Sequence, residues 1–325
     1  MIEVACAGIV IADCVARPVI KQPKAGQLEL VETIGLYSGG SAASTGFDMV
    51  KLGTKVALVG CIGNDGFGDF LESATTKAGC DSSYLTRVDA PTSATLVTVG
   101  EDGERSFLHS IGANAKLEPQ HIPLAQLRTR GAKILHLAGF FILPGMEGTA
   151  GEPATSLFTQ ATAQGFITSL DCVWDATGRW GKLIGAVLAQ TDIFCPSIHE
   201  AREIVQQPNG TPKDLAKALF ACGIRQIVAL KMGEAGSFVM ARDGEYHHVP
   251  APKVEVIDGT GAGDAFIAGF LTARLRGYNL LTSAKIGNAT GARCVGAMGA
   301  TAGISNWDDV LELSGVTSRI SLKRV

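Results

Sequence analysis

The chain has 325 residues, 46% of them apolar and only 18% charged, so it can bury a substantial core and does not read as a disordered polymer. Its formal charge of −3 leaves no basic excess for neutralising nucleic-acid phosphates, and no long run of like charge occurs, so small molecules are the expected partners. The eight cysteines are scattered, never at C-x-x-C spacing, and mostly lie in apolar stretches, which implies reduced thiols and a cytoplasmic location.

In chain order, residues 1–12 are apolar but contain Glu3, lack a preceding Lys or Arg and run straight into Asp13, unlike a signal peptide. They read as one buried first strand. Other apolar runs, such as 137–144, fall short of the roughly 18 residues a membrane span needs, so no membrane partner is expected. Residues 55–59, 133–137, 166–170, 192–194 and 226–230 read as buried strands, with helices predicted over 42–52, 67–78, 153–164 and 212–222. That alternation predicts an α/β fold, a mostly parallel sheet with helices on both faces. Segments 28–37 and 92–110 break it with half-buried strand patterns and no helices, and Asp102-Gly103 predicts a hairpin between two of them. These segments are expected to pair as a small separate β-sheet. Forty glycines, about 12% against a usual 7% or so, imply tight turns and close approaches to a ligand.

The most informative stretch is Asp258-Gly259-Thr260-Gly261-Ala262-Gly263-Asp264-Ala265-Phe266, a glycine-rich turn that opens an apolar helix ending before Gly277. The unpaired N–H groups of a helix start and its dipole favour an anion there, which makes residues 261–264 a phosphate cradle. Asp264 in the first turn is expected to be held ionised by those dipoles, as a base that takes its proton late. A plain capping role for Asp264 is the alternative.

This stretch resembles the C-terminal signature D-x-T-G-A-G-D-x-F-x-A-G-F of the ribokinase-like (PfkB) carbohydrate kinase family, matched by Asp258 to Phe270. A Gly-Gly pair opening a helix, Ser38-Gly39-Gly40-Ser41 through Leu52-Gly53, and the turn Gly60-Cys61-Ile62-Gly63-Asn64-Asp65-Gly66-Phe67-Gly68 are similar to two further family elements. The resemblance covers nearly the whole length. It implies one ribokinase-like kinase domain over 1–325, with a β lid from about 12–37 and 92–112 that serves as a homodimer contact in many relatives.

The resemblance further implies ATP-dependent phosphorylation of a carbohydrate hydroxyl, with Asp264 as the base and Gly261, Ala262 and Gly263 as the anion hole. Phosphoryl transfer asks mainly for alignment and charge neutralisation, so amides, a metal and one base suffice, and no P-loop is present. Asp13, Gly39, Gly40 and Ser44 fall at the family's sugar positions, and a carboxylate at 13 suits paired hydroxyls. Ser44 replaces a common Asn, which bears on which sugar is taken. His109 and Arg105 lie in the lid strands and either reach the substrate or face solvent. Lys231 and Gly233 end a strand where the family's nucleotide passes, and Asn288 is an adenine-side candidate. Mg²⁺ is expected near Glu200, in a Ser197-Ile198-His199-Glu200 run that has Ser in place of Asn, and K⁺ is expected at a loop near Asp258. Glu203 stands where a zinc helix needs His, and His247-His248 would diverge on a strand and read as surface residues.

The pocket segments 11–14 and 38–44 hold no Lys or Arg, so a neutral monosaccharide is favoured over a sugar phosphate, with Arg17 and Arg105 near enough in sequence to keep the sugar phosphate as an alternative. Tyr37, Phe107, Phe140 and Phe141 keep a nucleoside kinase as the alternative, since a base asks for an aromatic to stack on. A non-catalytic sugar sensor is a third reading that the intact Asp264 motif disfavours. A dinucleotide oxidoreductase is excluded, because Gly261-Ala262-Gly263 lacks the third glycine and lies near the C-terminus.

Overall fold

A computed structural model of the chain describes residues 1–317. Thirteen strands are found among the described residues: β1 (Val4–Gly8), β2 (Ile11–Arg17), β3 (Thr33–Gly39), β4 (Val56–Gly63), β5 (Leu85–Val88), β6 (Ala94–Val99), β7 (Arg105–Ser110), β8 (Ile134–Phe140), β9 (Ile167–Cys172), β10 (Ile193–Phe194), β11 (Ile227–Lys231), β12 (Ser237–Ala241) and β13 (Tyr246–Val249). Nine form one sheet in the order β13-β12-β11-β10-β9-β8-β1-β4-β5, parallel from β11 to β5, with β12 and β13 added antiparallel at one edge. The other four make a separate sheet, β3-β2-β6-β7.

The central strands are apolar on both faces because both are covered. Ala5, Ala7, Leu135 and Leu137 pack with the helices Glu152–Ala163, Trp180–Leu188 and Pro212–Ala221. Val4, Cys6, Ile134 and Ala138 pack with Ser41–Lys51, Ala262–Leu275 and Leu280–Val295 on the opposite face. This is the expected ribokinase-like α/β architecture, a large mostly parallel sheet with a small second sheet beside it. The eight cysteines are free, and six of them are buried. Among the described residues no helix is long and apolar enough to cross a membrane.

Two details differ from the sequence reading. The apolar run 1–12 is divided between two sheets, with β1 in the large one and β2 in the small one. Gly8 stands at the break with φ 142°, and a Cβ there would lie 2.0 Å from the Ala138 carbonyl oxygen. Only a glycine lets the chain pass that close and leave the first sheet. In segment 28–37 the strand starts only at Thr33, and Leu28 and Leu30 are exposed. The hairpin at Asp102-Gly103 is present, closed by Gly100 N–H donating to the Glu104 carbonyl at 2.8 Å. The edge pair β12–β13 and the helix Trp180–Leu188 had gone unassigned.

Candidate active site

In a parallel sheet the loops beyond the carboxyl ends of the strands form the binding crevice. There the helix Ala262–Leu275 begins at Gly261, whose φ of 78° and 2.3 Å separation between a hypothetical Cβ and the Ala300 carbonyl oxygen exclude any side chain. No side chain caps this helix, and apart from a long 3.4 Å contact from Ala262 N–H to the Gly259 carbonyl its first-turn N–H groups remain available to a ligand. The turn ahead of it is organised by Asp258, which is buried and accepts from Thr260 N–H at 2.9 Å and from Gly299 N–H at 2.8 Å.

Asp264 occupies the first turn of the helix. Burial pushes its carboxyl up to about 8, with Asp171 and Glu200 adding to the rise and Lys231 opposing it. The expectation that the helix dipole keeps Asp264 ionised is corrected by this environment. The dipole acts only across the first turn, whereas desolvation and two nearby carboxylates act together against the charged form.

Lys231, the last residue of β11, forms an ion pair with Asp171 of β9, Nζ to Oδ1 at 2.7 Å. Strand β10 lies between them, and Phe194 is paired with both Leu170 and Val228. Alternation then puts Asp171 and Lys231 on the same opposite face. Burial alone lowers the Lys231 ammonium, but Asp171 and Glu200 hold it above its ordinary value. Burial also raises the Asp171 carboxyl despite the attraction of Lys231. A Cβ placed on Gly263 would sit 3.4 Å from Lys231 Nζ, so the ammonium lies directly beside the anion loop. Asp171 was missed in the sequence, although a carboxylate closing the apolar run 166–170 was the available signal. Behind this pair His136, wholly buried, shares a 3.0 Å contact with Ser169 Oγ, and burial pushes its imidazole down to about 3.

The small sheet carries the other half of the site. Asp13 is paired in register with Tyr37 and Thr95, and Thr95 with His109, so these four side chains form a row on one face. Thr95 Oγ1 and His109 Nδ1 are 3.1 Å apart. Burial raises the Asp13 carboxyl, and the Thr95 hydroxyl partly offsets this. A Cβ on Gly39 would fall 2.1 Å from Asp13 Oδ2, so the carboxylate lies across a position that must stay bare. Phe107 and Arg105 continue the same face along β7. Arg105 turns that face toward the start of the helix Ala262–Leu275, since its guanidinium meets Asp258 Oδ2 at 2.5 Å and also donates to the Thr260 hydroxyl. Ser44 is buried in the first turn of Ser41–Lys51, behind Gly40. The Ser38 and Ser41 hydroxyls flanking the Gly-Gly pair are buried without a protein partner.

The remaining candidates are more scattered. Gly233 opens a short turn after β11, and a Cβ there would meet nothing within 4 Å, which leaves room for a ligand. Asn288 donates its amide to the carbonyls of Val249 and Pro250 at 2.8 and 3.3 Å, so its donors are engaged in fastening the end of β13 to the helix Leu280–Val295. Glu200 and Ser197 form a reciprocal capping box, with Ser197 N–H donating to Glu200 Oε2 at 2.7 Å. Asp258 is surrounded by donors: although burial alone raises it, the Thr260 and Gly299 N–H groups and Arg105 hold its carboxyl below the ordinary range. Among the described residues no three His, Cys, Asp or Glu side chains gather as a metal cluster. His247 meets Glu245 at 2.7 Å, and the exposed His248 meets the carbonyl of Ala235, in the turn opened by Gly233, at 3.2 Å.

The sequence pattern of the pfkB family carbohydrate kinases matches residues 1–307. The chain belongs to that family. Among its relatives, the aminoimidazole riboside kinase of Salmonella typhimurium is 32% identical over 272 residues, 81% of this chain and 83% of that protein. A putative ribokinase II from E. coli, solved in complex with ATP and Mg²⁺, is 25% identical with a TM-score of 0.80, covering 96% of this chain and 99% of its own. Arabidopsis thaliana ribokinase, complexed with ribose and ATP, superposes with a TM-score of 0.82 at 24% identity, covering 98% of this chain and all (100%) of its own. The chain is thus a sugar or nucleoside kinase of the PfkB family with the ribokinase fold.

Proposed function

We propose that this PfkB kinase transfers the γ-phosphoryl group of ATP to a hydroxyl of a neutral monosaccharide, with Asp264 as the base. The observation that carries the reading is the convergence, at the start of one helix, of uncapped N–H groups, the Asp264 carboxylate and the Lys231 ammonium. The Asp264 carboxylate accepts the proton of the acceptor hydroxyl as that oxygen attacks the γ-phosphorus, the bond from that phosphorus to the β,γ-bridging oxygen breaks, and ADP leaves with the bridging oxygen. The N–H groups of Gly261, Ala262 and Gly263 hold the equatorial oxygens of the transferring group, where negative charge collects. Lys231 adds a fixed positive charge, and its pairing with Asp171 keeps it from collapsing onto Asp264.

Bound ATP·Mg²⁺ would supply the phosphoryl donor and its charge neutralisation. The open space at Gly233 and the uncapped helix start fit the nucleotide's phosphates, and Glu200 fits an outer role in which water stands between carboxylate and ion. The K⁺ contribution expected near Asp258 is retained in reduced form, because Arg105 already supplies a positive charge to that carboxylate.

For the acceptor, the row of Tyr37, Asp13, Thr95 and His109 offers hydrogen-bonding groups suited to sugar hydroxyls, with Asp13 accepting two. Arg105 on this face is committed to Asp258, which leaves Arg17, on the same face at the end of β2, as the cation a substrate phosphate would need, whereas a neutral acceptor needs none. A second reading, a riboside or nucleoside, is favoured by Tyr37 and Phe107, which are 50% and 60% exposed on the cleft face and free to stack. The deciding measurement is kcat/KM with ATP across neutral sugars, sugar phosphates and ribosides. A riboside or sugar phosphate that exceeded every neutral sugar by more than about tenfold, roughly 1.4 kcal/mol of transition-state preference, would overturn the neutral-sugar reading.

A further inference from the structure

Strand β7 is one of the two edges of the small sheet, and every one of its residues after Arg105 is exposed. Arg105, the one residue of β7 that is not exposed, reaches across to the turns at the start of the helix Ala262–Leu275. Its guanidinium pairs with Asp258 Oδ2 at 2.5 Å, donates to Thr260 Oγ1, and lies 3.6 Å from Met298 Sδ, all residues of the two turns that frame the helix start. The Asp258 side chain is only 4% exposed and that of Arg105 24%, so the pair is shielded from water.

The same carboxylate fastens both turns. Asp258 accepts from Thr260 N–H, next to Gly261, and from Gly299 N–H, next to the Ala300 carbonyl that packs on Gly261. A buried carboxylate with no cation is costly, and its remaining hydrogen bonds would weaken as water entered to solvate it. The arginine's planar fork serves two acceptors at once, which a lysine cannot reproduce.

We infer that Arg105 is a positioning residue that latches the small sheet to the anion loop, so that closing the lid and ordering the start of the helix Ala262–Leu275 are one event. The inference rests on the reading of that helix start as the site of phosphoryl transfer, and it adds how the site is assembled. An open lid withdraws the cation from Asp258 and loosens the turns at Thr260 and Gly299. The closed arrangement, which the chain adopts with no acceptor bound, keeps both contacts and so holds the N–H groups in place.

The test is hydrogen exchange by mass spectrometry on the substrate-free protein, comparing wild type, Arg105→Met, Asp258→Asn and the double variant. Arg105→Met should speed exchange about tenfold in residues 94–110 and equally in 258–264 and 297–301, because one contact holds both regions. Asp258→Asn should reproduce this pattern, and the double variant should add little more. Faster exchange confined to the lid, or fully additive effects in the double variant, would overturn the latch. Arg105→Lys keeps the charge and loses the fork, so an intermediate effect is expected even if the Met variant folds poorly, and a Lys variant equal to wild type in both regions would count against it.

In turnover with ATP and an accepted sugar, Arg105→Met should lower kcat by at least about tenfold while the sugar's KM moves less than about threefold, since the contact acts on the anion loop and not on the acceptor. A large rise in KM at unchanged kcat would instead make Arg105 a substrate ligand. The exchange experiment uses no nucleotide or sugar. Its outcome therefore stands even if no acceptor is ever phosphorylated, and its failure leaves the kinase reading intact.

Discussion

Replacing Asp264 with Asn should separate what the side chain does for the reaction from what it costs the fold. Its carboxyl is pushed from an ordinary 3.8 up to about 8, first by burial and then by Asp171 and Glu200 against the pull of Lys231. A folded-state pKa raised above the unfolded value means that the folded chain prefers the neutral form. Stability from this group is full below about pH 4, declines as pH rises, and is lost once pH passes about 8. Roughly four pKa units set a ceiling of about 6 kcal/mol, and the water that reaches this half-buried side chain reduces the expected difference to roughly 1–3 kcal/mol.

Asn has nearly the same shape and carries no charge, so it should relieve this penalty. Urea unfolding should find Asp264→Asn more stable than wild type by roughly 1–3 kcal/mol near pH 9, and by about a quarter of that near pH 5. The same variant should lose at least about a hundredfold in kcat, the usual scale for removing a general base. In the wild type, kcat/KM should rise with pH and level off near the value at which the carboxyl ionises, about 8. A stability difference that does not change with pH, or a variant less stable than wild type at pH near 9, would refute the account of the buried carboxyl. Turnover within a few-fold of wild type would refute the assignment of the base.

Lys231→Met should leave Asp171 buried beside Glu200 with no cation, destabilising the protein by about 3–5 kcal/mol in urea unfolding, and adding Asp171→Asn should recover part of that loss. Survival of full stability in the single variant would argue that water already solvates the pair. The outer face of the small sheet places Leu36, Cys14, Leu96 and Leu108 abreast, with Leu108 72% exposed, and we expect it to pair two copies of the chain. Light scattering at micromolar concentration should report a dimer that Leu108→Glu converts to monomer, and a monomeric wild type would remove the proposal. Chelating Mg²⁺ should abolish turnover, whereas replacing K⁺ with a bulky organic cation should slow it only modestly while Arg105 neutralises Asp258. A K⁺ requirement as strict as that for Mg²⁺ would show that the arginine does not serve that charge.

Whether a feature was legible in the sequence depended on how far apart its parts lie along the chain. The run Asp258 to Phe270 contains the turn, the helix start and the base within 13 residues, so its cradle could be read from local rules for glycine and helix termini. The same holds for the buried strands and for the Asp102-Gly103 hairpin. The contacts that set the properties of the cradle are of another kind. Arg105 meets Asp258 across 153 residues, and Lys231 meets Asp171 across 60, because the strand order brings chain ends together that no local pattern relates. The protonation of Asp264 departs from the sequence expectation for this reason. Its own helix dipole is a local term visible in the sequence and favours the anion, while Asp171 and Glu200 oppose it only after β9, β11 and the helix Ile198–Val205 have assembled. The free-energy balance of the base therefore belongs to the sheet's topology more than to the motif that contains it. A substitution at Asp171 should accordingly shift the pH dependence of turnover even though that residue touches neither the phosphate cradle's backbone nor the sugar row.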